Sequence, residues 1–207
     1  MNRFVIAALA AAAASAGDLL MLYVVGAERP DLGLAPAGSW MLPLAYYLGV
    51  LTIPLYAVGY AALAVTLARD APRASRTILI VGSILGVLGA ILHGVTGVAV
   101  DAQLRAGADF PDPVEGLLVF GEYILPLWAA VGLLGLLASG AYVYAVARGR
   151  SSLPRWAAAV NPVLLILVMV IASSGSTHLE AFLAPAAPNL AHALFFAFLA
   201  TYPRRNE

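Results

Sequence analysis

Two carboxylates and three histidines, Asp18, Glu122, His93, His178 and His192, stand inside or at the outer edge of long apolar runs. A charged side chain at membrane depth costs roughly 2.5–3.5 kcal/mol on insertion scales, so such groups have partners and usually a task. Two chemistries suit the set. Three imidazoles with carboxylates nearby are a ligand set for Zn²⁺ or another divalent metal, with His93, His178 and His192 as the candidate ligands. No HxxxH or HExxH spacing occurs, so separate helices would have to assemble that site. Without a metal, Asp18, His93, Glu122 and His192 are candidate catalytic acids and bases. A protonated carboxyl gives a proton to a substrate and a neutral imidazole takes one up.

Composition removes several other chemistries. All eleven basic residues are Arg, so a lysine Schiff base or lysine nucleophile is excluded. With no cysteine there is no disulfide, thiolate ligand or dithiol redox centre. Eleven acidic residues balance the arginines, and no basic surface points to nucleic acid.

The elements that must position these groups are membrane helices. The 207 residues are 62% hydrophobic and only 11% charged, against about a quarter charged in soluble domains. Apolar runs long enough to cross a bilayer, ~20 residues, predict six spans at about 4–26, 42–68, 77–100, 117–147, 156–177 and 186–203. The fold expected is an all-α six-helix membrane bundle forming one domain over 1–207. Arg69, Arg73 and Arg76 fall between spans two and three, and Arg148, Arg150 and Arg155 between four and five. Arg3, Arg204 and Arg205 flank the termini, while Glu28, Asp31, Asp101, Asp109, Asp112 and Glu115 fill the opposite loops. The positive-inside rule then places both termini in the cytoplasm of a multi-pass inner-membrane protein.

Helix rise puts Asp18 and His93 each ~10 Å below the outer surface and Glu122 ~8 Å below it. His192 falls about one turn into the last span, and His178 and Glu180 at the outer edge of the fifth. On span three, Gly82, Gly86, Gly89, His93 and Gly97 share one face, and on span one so do Ala7, Ala11, Ala14 and Asp18. Small-residue faces pack against neighbouring helices, so Asp18 and His93 are expected to meet across the interface of those two spans. Trp40, Tyr46, Tyr47, Phe120, Tyr123, Phe195 and Phe196 are aromatic candidates for the wall of a cavity near this level, although Trp40 also suits the interfacial belt.

The start "MNRFVIAALAAAAASAG" has the basic, apolar and small-residue order of a cleaved signal, but the run continues through "LLMLYVV" to full span length, which predicts a retained helix. "SAGDLLML" resembles the Gly-Asp-Leu-Leu core of lysoplasmalogenase-type membrane proteins, whose members include vinyl-ether lipid hydrolases. That resemblance covers about eight residues and implies a role for Asp18 alone. The chain as a whole is similar to uncharacterised bacterial six-span membrane families with a Gly-Asp in the first helix.

The function expected from these readings is a membrane-embedded enzyme, such as a lipid hydrolase, acting on a lipid or isoprenoid-like amphiphile by acid–base or metal-assisted chemistry in an outward-facing cavity. A membrane cyclase or isomerase started by a protonated carboxyl is one alternative. A non-enzymatic small transporter or binding protein, with a polar path past Asn161, is another. The partners expected are a membrane lipid or small amphiphile and, for assembly, a homo-oligomer.

Overall fold

The computed structural model describes residues 2–106 and 121–202, and among these all regular structure is helical. An apolar chain in a bilayer must satisfy its own backbone N–H and C=O groups, and the helix does so within one segment. The α-helices are α1 (Arg3–Ala27), α2 (Met41–Thr52), α3 (Tyr56–Leu67), α4 (Pro72–Ala106), α5 (Gly121–Ala147), α6 (Pro162–Ser173) and α7 (Thr177–Thr201). α2 and α3 form one span, Met41–Leu67, interrupted by a 3-10 turn at Ile53–Leu55. Pro54 has no N–H to continue the ladder, and the break reorients the chain just before Tyr56.

The first three expected spans and the described part of the fourth agree with the helices. Residues 117–120, together with Asp109, Asp112, Glu115, Arg204 and Arg205, lie outside the described residues. The last two spans need correction. The fifth is a 3-10 turn, Arg155–Ala159, followed by α6, whose 12 residues rise only ~18 Å. The sixth begins at Thr177 rather than near residue 186. Ser176 caps α7 by accepting the Leu179 N–H, and Pro185 and Pro188 sit inside the helix rather than ending it. Membrane helices tolerate such prolines because neighbours re-satisfy the freed groups.

The Asn2 amide donates to the Ala200 carbonyl at 3.4 Å, so α1 and α7 run antiparallel with the chain ends together. Among the described residues five helices are long and apolar enough to cross a membrane, α1, α2 with α3, α4, α5 and α7, and the shorter apolar α6 lies before α7. Phe4, Leu63, Leu153, Leu199 and Tyr202 meet at that same end, which therefore also holds Arg3, Arg69, Arg148, Arg150 and Arg155. At the opposite end Phe182 reaches Gly26, and Arg29 pairs with Asp31 at 2.7 Å. That hydrogen bond holds the Asp31 carboxyl below its usual range.

The two small-residue faces do pack inward. Ala7, Ala11 and Ala14 are fully buried. On α4, Gly82 faces the Tyr60 ring, Gly86 and Gly89 face the Ile53–Pro54 break, and Gly97 faces Tyr46. A side chain at Gly82 would overlap Tyr60, so glycine sets how closely α4 approaches α3.

Candidate functional site

Asp18 of α1 and His93 of α4 meet where these small-residue faces converge. Asp18 Oδ1 lies 3.2 Å from His93 Nδ1, and the other ring nitrogen, Nε2, lies 3.0 Å from the Ala45 carbonyl of α2. Gly49, one turn further along α2, makes this contact possible: a Cβ there would fall within the imidazole ring.

The hydrogen bonds count the protons. A carbonyl oxygen only accepts, so Nε2 carries a proton. A bare Nδ1 lone pair facing a carboxylate would be repulsive, so a second proton stands between Nδ1 and Oδ1. It resides on His93 beside an ionised Asp18, or on Asp18 beside a neutral His93. In both cases the pair is neutral overall and stores one shared proton. Neutrality is what makes the pair affordable in hydrocarbon.

Asn189 of α7 extends the network. Its amide donates to Asp18 Oδ2 at 2.7 Å, and its carbonyl oxygen accepts from the Tyr56 hydroxyl at 2.7 Å. One helical turn onward, His192 Nδ1 donates to the Pro188 carbonyl at 2.7 Å, leaving Nε2 to accept from the Tyr60 hydroxyl at 2.8 Å. The His192 ring stacks on Tyr56, with centroids 4.9 Å apart, and Phe196 closes the aromatic cluster. Tyr56 and His192 touch by ring faces and not by a hydrogen bond, so the two polar groups are adjacent but separate.

A cavity of about 170 Å³ opens beside the pair. Its polar wall is Asp18, His93, Thr96 and Asn189, and its apolar wall includes Leu22, Leu92, Trp128, Val131, Pro185 and Pro188. Asp18 keeps 16% of its side-chain surface exposed against 6% for His93, so the carboxylate is the group a ligand reaches and the imidazole stands behind it. A larger groove of about 530 Å³, between α2, α4 and Tyr123, carries no acid or base other than tyrosine and is apart from this chemistry.

A family model of unknown function, DUF6796, matches residues 1–206. The chain belongs to that family. No curated protein and no solved structure matches it, and no link to lysoplasmalogenase-type proteins supports the likeness at Ser15–Leu22.

The structure joins only part of the expected set. Asp18 and His93 meet directly, and His192 lies in the adjoining cluster. Glu122 is exposed in the first turn of α5, away from the pair, and His178 and Glu180 are exposed in the first turn of α7. The metal set His93, His178 and His192 is therefore not assembled: both nitrogens of His93 and of His192 are already engaged, and His178 is at the surface. Among the described residues no group of three or more His, Asp or Glu is placed to hold a metal ion. Of the aromatic candidates, Phe195 and Phe196 are buried in the core, Trp40, Tyr47 and Tyr123 are exposed, and Phe120 lies outside the described residues. Asn161 is buried and caps α6 by accepting the Leu164 N–H.

Sequence reasoning missed Asn189, Tyr56, Tyr60 and Trp128. A signal was present for the first three. Asn189 and His192 are three apart and Tyr56 and Tyr60 four apart, spacings that put each couple on one helix face.

Proposed function

We propose that this protein is a membrane-embedded acid–base enzyme acting on a lipid or isoprenoid-like amphiphile. The observation that carries the reading is the Asp18–His93 pair, Oδ1 and Nδ1 3.2 Å apart, in the wall of a largely apolar cavity. Asp18 hands that proton to the substrate, with His93 supplying it from behind. The substrate becomes transiently cationic and the pair anionic. Loss of a proton from another position of the substrate returns the pair to its starting state, which is an isomerisation or cyclisation. Capture by water, followed by return of a proton from that water to the pair, is a hydration. No covalent nucleophile is needed, and apart from Asp18 and His93 none stronger than the Thr96 hydroxyl lines the cavity.

The cavity is smaller than the roughly 300–1,000 Å³ of sites that enclose a drug-sized ligand. It suits the reacting end of an amphiphile whose tail remains in the bilayer. The arginine-rich end of the bundle faces the cytoplasm by the positive-inside rule, and the cavity then belongs to the outer half of the membrane.

The test is reconstitution into vesicles of bacterial polar lipid and isoprenoid extract in deuterated water, followed by mass spectrometry. The expected result is a time-dependent change in one lipid class with deuterium incorporated. Asp18→Asn and His93→Gln should each slow it by about 10²–10⁴-fold, the usual worth of a positioned acid or base. A lipid set unchanged by the wild-type protein, or turnover indifferent to both substitutions, would contradict the reading.

A further inference from the structure

Asp18 is the one carboxylate in the cavity, whose wall is otherwise largely apolar, with His93, Thr96 and Asn189 as its other polar side chains. One N–H of the Asn189 amide is given to Asp18, and the two His93 ring nitrogens face Asp18 and the Ala45 carbonyl. Trp128, the aromatic best suited to a cation among the natural side chains, lines the opposite side.

A carboxylate and an indole in an otherwise largely apolar wall match a group that carries N–H donors and a positive charge. A primary ammonium is that group. We propose that the cavity binds the ammonium end of an alkylamine in exchange for the shared proton of the Asp18–His93 pair.

The exchange follows from charge balance. The pair is neutral while it holds its proton, and a cation added beside it would leave a net charge in hydrocarbon. Release of the proton leaves one negative charge on the pair and restores neutrality with the ammonium in place. One ammonium N–H then takes the position of the lost proton, facing Asp18 Oδ1 and His93 Nδ1 together. The groups around Asp18 allow this. α4 contributes His93, α7 contributes Asn189, α3 contributes Tyr56 through Asn189, α2 contributes the Ala45 carbonyl and α5 contributes Trp128. None is a fixed cation.

This inference deepens the proposed function, because an ammonium beside a deprotonated pair has the same charges as a substrate that has just received the proton. It identifies the site as one that stabilises a positive charge. Its test reads binding and not turnover.

Protein in phosphatidylcholine nanodiscs, which hold no primary amine, is titrated calorimetrically with decylammonium, butylammonium, decyltrimethylammonium and decanol. Titration in two buffers of different ionisation enthalpy counts the protons released. The expected result is saturable binding of decylammonium with about one proton released per ligand, weaker binding of the trimethyl form and none of decanol. Trp128→Leu, at a residue 41% exposed and tolerant of change, should weaken binding about tenfold or more. Asp18→Asn should abolish it. Competition by phosphatidylethanolamine placed in the disc assigns the ammonium to a lipid headgroup, while butylammonium binding as tightly as decylammonium assigns it to a soluble amine.

Decanol binding as tightly as decylammonium, absence of proton release, or affinity unchanged in both variants would overturn the proposal. Decylammonium binding by a protein that alters no lipid would keep the cation site and remove the enzyme. Turnover without ammonium binding would do the reverse.

Discussion

At the scale of single residues, the account rests on two side chains whose isolated burial is unfavourable and whose pairing is cheap. Removing one member strands the other. Asp18→Ala and His93→Ala should each lower stability by about 3–5 kcal/mol, the range for breaking a buried pair. The double variant should lose less than the sum, with a coupling of about 1–3 kcal/mol read from thermal unfolding in detergent. Additive losses would mean that the two side chains do not act on each other. This pair was legible in the sequence because an intramembrane carboxylate demands a partner and because both residues lie on small-residue faces that must pack. Glu122 and His178 were misjudged for a simple reason. Depth counted from a helix end says how far down a residue lies, not which way it points, and both lie in exposed first turns.

At the scale of elements, glycine and proline decide where the site forms. Gly49 opens the space in which His93 reaches the Ala45 carbonyl, and Pro54 breaks the second span so that Tyr56 meets Asn189. Gly49→Ala should force the imidazole aside at a cost of about 1–3 kcal/mol, the range for overpacking. Gly135→Ala, whose methyl group would meet nothing within 4 Å, should change stability by less than about 1 kcal/mol. Equal effects of the two, measured by the same unfolding assay, would remove the special place given to Gly49. The partners Asn189 and Tyr56 were not legible, because their meeting depends on how α3 and α7 bend and rotate about their prolines. No local spacing records that rotation. The start of α7 was missed on the same ground: Pro185 and Pro188 read as breakers, whereas the helix continues through both.

At the scale of the whole molecule, charge and chemistry are separated along the bundle. Arg3, Arg69, Arg148, Arg150 and Arg155 lie at the end where Asn2 meets Ala200, Arg29 and Arg105 at the other with carboxylate partners, and the polar network occupies the middle and that opposite half. The alternation of arginine-rich and acidic loops made this segregation readable from sequence. The shortness of α6 was not, since hydropathy does not show where Asn161 caps a helix and Gly175 ends the turn after it. Single cysteines at Arg73 or Arg150 should be shielded from an impermeant thiol reagent in intact cells, and one at Glu28 should react. The opposite labelling would invert the protein and turn the cavity toward the cytoplasm.

The central claim is that Asp18 and His93 hold one proton between them. Solid-state NMR of protein in lipid bilayers, with nitrogen-15 in the histidines and carbon-13 in the aspartate carboxyls, tests it most directly. The account expects one histidine with Nε2 protonated, a proton between Nδ1 and the carboxyl of one aspartate, and a dipolar coupling between that nitrogen and that carboxyl carbon. Asp18→Asn should abolish the coupling and leave the signals of His178 and His192 in place. A His93 ring with a bare, uncoupled Nδ1 would contradict the account.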